Sequence, residues 1–177
     1  LFSMFCTCAA LAALSLIPGG PRFPPGPRAP PALLCEAEAP AASEVLGRTS
    51  PAVLAYLGDA IFETSVREKL MWPPQKLDVQ TRRARRLVCA EGQEALLARL
   101  VADFPLSALE TDWLRRGRNA SGRGPSRVSA KTYRAATSFE CLLGYLHLSD
   151  PARLDEVLDF VLGTAVPELE QQLGEGS

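Results

Sequence analysis

Two carboxylates stand apart from the other acidic residues of this chain. On a helix, the positions three and four away from Asp59 are Ala55, Tyr56, Phe62 and Glu63; those around Glu140 are Ala136, Thr137, Leu143 and Gly144. Neither acid has a basic neighbour on its own helix. Each sits on a mostly apolar stripe, where an unpaired charge calls for a partner from elsewhere or a cation. Gly58 and Gly144 would let two helix backbones approach closely and bring the acids together. Facing carboxylates repel unless a metal or a shared proton intervenes, and hard oxygen ligands without His or Cys suit Mg²⁺ or Mn²⁺. For either acid taken alone, a salt bridge to one of the many arginines is an equal alternative. The single histidine, His147, excludes a multi-His metal centre and reads as a surface or packing residue near a helix end.

Three basic clusters accompany these acids. Arg115-Arg116-Gly117-Arg118-Asn119 closes a short helix and enters a loop with Arg123 and Arg127. Its glycines allow backbone N–H groups near a phosphate, and arginine grips a phosphate through two donors at once. Complementing a helix C-terminus would explain Arg115 and Arg116 equally well, but not Arg118 or Arg127. Lys131-Thr132-Tyr133-Arg134 lies two turns before Glu140 and offers phosphate donors and a hydroxyl toward the same face. Arg82-Arg83-Ala84-Arg85-Arg86 reads as a solvated helix face.

The elements that must carry these groups are helical. From Ser50 onward the apolar spacing is three and four, with few β-branched runs and no βαβ alternation. Ser50-Pro51 opens a helix that can run to about Met71, before Trp72-Pro73-Pro74 stops it. A second stretch runs from near Asp78 to Phe104 with a break near Gly92. Ser107 to Glu110 forms a capping box for a third helix ending at Gly117, and residues 119–128 form a loop. Helices follow from about Ser129 to Leu148 and from Pro151 to about Gly163, with a short one possible after Pro167. The expectation is an all-α domain of about five to seven helices over residues 48–177. Cys89 and Cys141, isolated on these helices, make neither a disulfide framework nor a zinc site.

The chain has 177 residues, 47% apolar and 22% charged, which suits one domain with a true core and excludes a wholly disordered protein. A net charge of −1 argues against a polyanionic partner until it is divided. Residues 1–47 sum to −1, 48–134 to +7 and 135–177 to −7, so a basic middle is cancelled by an acidic tail. Residues 1–47 carry eight of the fifteen prolines, Cys6, Cys8 and Cys35, and no acid before Glu36. Phe5 to Ile17 is an apolar run of thirteen, too short for the roughly 20 residues that span a bilayer. A basic, Pro-rich stretch with Arg22 and Arg28 follows. This order reads as a presequence, plastid import being favoured over mitochondrial, with no membrane attachment expected of the mature form.

Leu54 to Glu63 (LAYLGDAIFE), Arg115 to Ala120 (RRGRNA), Thr132-Tyr133-Arg134 and Ser138 to Leu146 (SFECLLGYL), in this order and spacing, resemble the Mini-ribonuclease III family over about residues 50–162. Val88 to Gln93 (VCAEGQ) resembles a looser block of the same family. The resemblance implies an all-helical ribonuclease III catalytic domain that works as a homodimer and cuts double-stranded RNA with Mg²⁺, leaving a 5′-phosphate and a 3′-hydroxyl. It assigns metal binding and catalysis to Asp59 and Glu140. Larger members of the superfamily carry two further acids where this chain has Ala55 and Thr137, which leaves fewer ligands for a second metal. No double-stranded RNA-binding domain is expected, so Arg116, Arg118, Asn119, Lys131, Thr132, Tyr133 and Arg134 are the candidates for RNA contact. Ribosomal RNA precursors and structured intron RNA are the substrates the resemblance suggests. A non-catalytic RNA-binding or ribosome-associated module is the rival reading, and a helical protein-interaction domain a third.

Overall fold

The computed structural model describes residues 41–122 and 124–174, with side chains as far as Thr164 and at Pro167. The expected presequence (as far as residue 40) and Arg123 lie outside the described residues. Among those described, seven α-helices and no strand are found, the all-α architecture expected. They are α1 (Ala42–Arg48), α2 (Pro51–Leu70), α3 (Leu77–Val88), α4 (Ala90–Asp103), α5 (Ala108–Ala120), α6 (Ala130–Ser149) and α7 (Pro151–Gly174). Helix α1, not expected, straddles the boundary placed at 47/48 and lays Leu46 against a small cluster of Leu54, Ala55, Trp113 and Cys141.

Helix α6 is the axis of the domain. Ala135, Ala136, Phe139, Cys141, Leu142, Leu143 and Leu146 are all buried, so apolar residues surround most of its circumference, the pattern of a helix enclosed by others. It packs against α1, α2, α4, α5 and α7. On one side Phe139 meets Phe62 of α2 edge to face, ring centroids 5.2 Å apart, within the main core. On another, Tyr145 stacks on Trp113 of α5 at 4.8 Å. The buried Ser138 hydroxyl donates to the Leu114 carbonyl at 2.6 Å and ties α6 to α5.

The closest crossing is that of α2 and α6. A Cβ at Gly58 would overlap the Glu140 carbonyl oxygen, and one at Gly144 would overlap the Leu54 carbonyl oxygen. The backbones touch, as the pair of glycines suggested. Helix α2 starts as expected, Pro51 in its first turn and the Ser50 hydroxyl accepting from the Val53 N–H at 3.4 Å.

Several boundaries differ from expectation, each for a local reason. The break in the second helical stretch falls at Cys89, whose extended backbone caps α4, and Gly92 sits one turn later where a Cβ would overlap the Arg86 carbonyl. Helix α5 begins at the expected capping box, with Ser107 N–H to Glu110 Oε2 at 2.6 Å and Glu110 N–H to Ser107 Oγ at 3.2 Å, but runs past Gly117 to Ala120. Gly117 is not a terminator: it faces α6, where a Cβ would lie 2.5 Å from Cys141 Cβ. Helix α7 continues through Pro167 instead of ending near Gly163. In the arginine-rich α3, Arg82, Arg85 and Arg86 are exposed as a solvated face would be, whereas Arg83 is buried.

Buried Glu110 also anchors α7. Arg153 donates to it at 2.8 Å, to the Pro105 carbonyl at 2.6 Å, and lies over the Phe104 ring. Burial raises the Glu110 carboxyl, but the bonds from Arg153 and Ser107 outweigh that and hold it below its ordinary value.

The crossing gives a direct stability prediction. Gly144→Ala should cost about 3 kcal/mol in urea unfolding, because the added methyl meets backbone that cannot rotate away. Gly163→Ala, where the same methyl meets open space on a helix, should be neutral or stabilising by up to about 1 kcal/mol.

Candidate active site

The contact between Gly58 and the Glu140 carbonyl fixes where the two unpaired acids emerge. Asp59 follows Gly58 on α2, and Glu140 sits one turn before Gly144 on α6, so their side chains leave adjacent backbones at one rim of the domain. Asp59 is open to solvent on one side and Glu140 is half-buried. Burial and then the Asp59 charge push the Glu140 carboxyl up to about 7. Asp59 is also raised, by loss of water on its inner side and then by Glu63. The arginine alternative fails: no basic side chain among the described residues offsets either acid. Glu63 is taken up by Arg67 at 2.6 Å.

The one group that does stabilise both carboxylates is neutral. Gln93, on the first turns of α4 and only 1% exposed, lowers the carboxyls of both Asp59 and Glu140 against the burial that raises them, while its own Oε1 is buried without a partner. It was not among the residues singled out from the sequence, except as the end of the Val88 to Gln93 block. The available clue was its spacing: Gln93 falls on the α4 stripe of Leu96, Leu97 and Leu100, where a polar residue is buried by periodicity.

Two carboxylates with an unpartnered buried amide oxygen behind them offer oxygen ligands only, which fits a hard divalent cation keeping most of its water. No group of three or more His, Cys, Asp or Glu side chains among the described residues could enclose a metal. The positions of the two extra acids of larger enzymes offer no further ligand charge. Ala55 is buried, and the Thr137 hydroxyl is committed to the Tyr133 carbonyl at 3.0 Å.

The basic residues divide into two groups. Arg118, Asn119, Lys131 and Arg134 line one cavity of about 350 Å³ together with Ser121. Arg118 and Lys131 also edge a neighbouring groove of about 510 Å³ whose floor is Leu97, Val101 and Leu114. The other candidates are used locally. Arg116 donates to Asp112 at 2.6 Å and lies over the Trp113 ring, 4.8 Å from its centroid, while Arg115 grips the same Asp112. The buried Thr132 hydroxyl bonds Ser129 at 2.8 Å in the cap of α6. Tyr133 is half-buried against Gly124, whose Cβ position its ring would obstruct. His147 is exposed in the last turn of α6, a surface residue near a helix end as expected.

The raised Glu140 carboxyl has a measurable consequence. Between about pH 4.5 and 7 the folded, metal-free domain holds a proton that the unfolded chain has released, so its stability should fall as pH rises through that window. Glu140→Gln should flatten this slope in chelator-treated protein unfolded by urea at pH 5, 6, 7 and 8. An unchanged slope would show that Glu140 titrates normally.

A family model described as the ribonuclease III domain matches residues 52–151. The Mini-ribonuclease 3 of Thermosynechococcus vestitus is 41% identical over 125 residues, covering 69% of this chain and 80% of that protein. That of Synechocystis is 42% identical over 125 residues, covering 71% and 83%, and that of Gloeobacter violaceus 46% identical over 106 residues, covering 59% and 76%. A crystal structure of a Fusobacterium nucleatum protein shares the fold at a TM-score of 0.59 and 21% identity, covering 67% of this chain and 96% of that one. With Asp59 and Glu140 paired on the matched helices, the chain belongs to the Mini-ribonuclease III family and is a ribonuclease III-type endoribonuclease.

Proposed function

We propose that this endonuclease hydrolyses double-stranded or structured RNA at Asp59 and Glu140, with Mg²⁺ as the working cation and Mn²⁺ as a substitute. The observation that carries the proposal is a pair of adjacent carboxylates without a basic partner among the described residues, in a domain that also gathers cationic residues into one cavity. A divalent cation bound there would supply an activated water and neutralise charge on the scissile phosphate. The chain's own part is to present two acceptors from rigid helices and to hold the RNA backbone nearby. Arg118, Asn119, Lys131 and Arg134 suit phosphate contacts along an A-form helix, read by shape. Arg116, Thr132 and Tyr133 support that surface through α5 and the cap of α6.

A homodimer would present one such site to each RNA strand. Its support is apolar surface on α2 and at the α2–α3 turn, where Val53, Tyr56, Met71, Trp72 and Leu77 are exposed, Tyr56 at 83% and Trp72 at 80%. No helix among the described residues is long and apolar enough to cross a membrane. The acid-poor, Pro-rich first segment supports import into a plastid, with a mitochondrion as the alternative, and ribosomal RNA precursors and intron RNA are the proposed natural substrates.

Asp59→Asn and Glu140→Gln should each abolish Mg²⁺-dependent cutting of a long RNA duplex while helical circular dichroism is unchanged. Cleavage at the wild-type rate by either variant would overturn the site assignment, and EDTA-insensitive cleavage would overturn the metal. In the Glu140→Gln background, Arg118→Ala with Lys131→Ala should weaken duplex binding about tenfold or more at low salt. The slope of log affinity against log salt should fall by about 1.5 to 2, close to one unit per lost phosphate contact.

A further inference from the structure

Resting on the proposed metal site, the observations reach one step further, to a residue for which the carboxylate pair alone does not account. Gln93 is among the most deeply buried large side chains of the domain, and it is the polar member of an otherwise leucine-lined α4 face. Its placement is fixed at both ends of the first turn of α4. The Gln93 N–H donates to the Cys89 carbonyl at 2.9 Å, and Gly92 just before it packs against the carbonyls of Arg86 and Leu87, where no side chain fits. The buried side chain lowers the carboxyls of both Asp59 and Glu140. Its amide oxygen, Oε1, is buried with no partner.

A buried polar atom without a partner is costly, and an apolar side chain of similar volume would avoid that cost. A lysine or arginine would neutralise the carboxylates better, but as an ion pair it would compete with any cation for the same oxygens. A neutral amide does neither: it orients two like charges by hydrogen bonding and leaves their net charge available. It also carries an acceptor on its second atom, suited to a water of a hydrated cation.

We propose that Gln93 is a positioning residue for the divalent metal, holding the Asp59 and Glu140 carboxylates in register through its side-chain amide. It acts through those two acids, as partners of metal ligands do elsewhere, where their loss costs ten- to a hundredfold in metal affinity.

The test is calorimetric titration of the full, chelator-stripped chain with Mn²⁺, without RNA. Wild type should bind, and Asp59→Asn with Glu140→Gln should not; if wild type shows no binding that depends on these acids, the metal site itself is refuted. Given wild-type binding, Gln93→Met, close in volume and apolar, should raise the Mn²⁺ dissociation constant tenfold or more with unchanged circular dichroism. Affinity equal to wild type would overturn the positioning role and leave the metal site standing. Gln93→Glu keeps the shape but exchanges the bridging donor for a third carboxylate, and tests the same contact if Gln93→Met does not fold. It should lower the metal-free melting temperature and tighten Mn²⁺ binding severalfold. A changed melting temperature with unchanged Mn²⁺ affinity, in either variant, would mark Gln93 as a packing residue only.

Discussion

Everything in this domain hangs on the contact between two helix backbones. At most helix crossings side chains keep the axes 8–10 Å apart. Where α2 and α6 cross, Gly58 and Gly144 remove that spacer and carbonyl oxygens of one helix rest against the other. The close approach sets the orientation of α6, around which α1, α4, α5 and α7 are arranged. It also leaves Asp59 and Glu140, each on a residue neighbouring or one turn from a crossing glycine, no freedom to diverge. Rigidity that serves the core is thereby the same rigidity that aims the acids.

That convergence works against stability. Two carboxylates driven toward the neutral form by burial and by a neighbouring acid, Asp59 for Glu140 and Glu63 for Asp59, are a liability in a metal-free protein. The domain meets comparable problems elsewhere in the ordinary way: Glu110, which is buried, is given Arg153, and Asp112 is given Arg115 and Arg116. Arginine is abundant in the chain, so its absence beside Asp59 and Glu140 among the described residues is a local exception. Sites arranged for a cation tolerate such unbalanced charge, since a resident arginine would occupy the oxygens that a cation needs.

The sequence made much of this legible, and its failures have identifiable physical causes. Ser50-Pro51 and the Ser107 to Glu110 capping box marked helix starts because caps are local chemistry, complete within four residues. The acids at Asp59 and Glu140 were visible because helical periodicity alone exposes a charge on an apolar stripe. Gly117 misled, since a glycine that ends a helix and a glycine that admits a neighbouring helix look alike without knowledge of what faces it. Proximity in sequence does not show that Arg118 and Lys131 share a cavity while Arg116 lies on Trp113 and Asp112 and Thr132 sits in a cap, since that division is set by helix rotation. Gln93 lay thirty-four residues from Asp59 and forty-seven from Glu140 in the chain, and its role exists only through tertiary packing.

Cys141 shows how completely the α5–α6 seam is sealed. Its side chain lies against Gly117 with no solvent exposure, and burial, partly countered by the Arg116 charge, pushes the thiol up to about 11. Near neutral pH only on the order of one molecule in ten thousand would carry the thiolate, the form that reacts with oxidants and alkylating agents. The thiol becomes reactive only when α5 lifts away from α6. Its rate of alkylation in native buffer is therefore a clock for the opening of that seam, written into the chain without any added label.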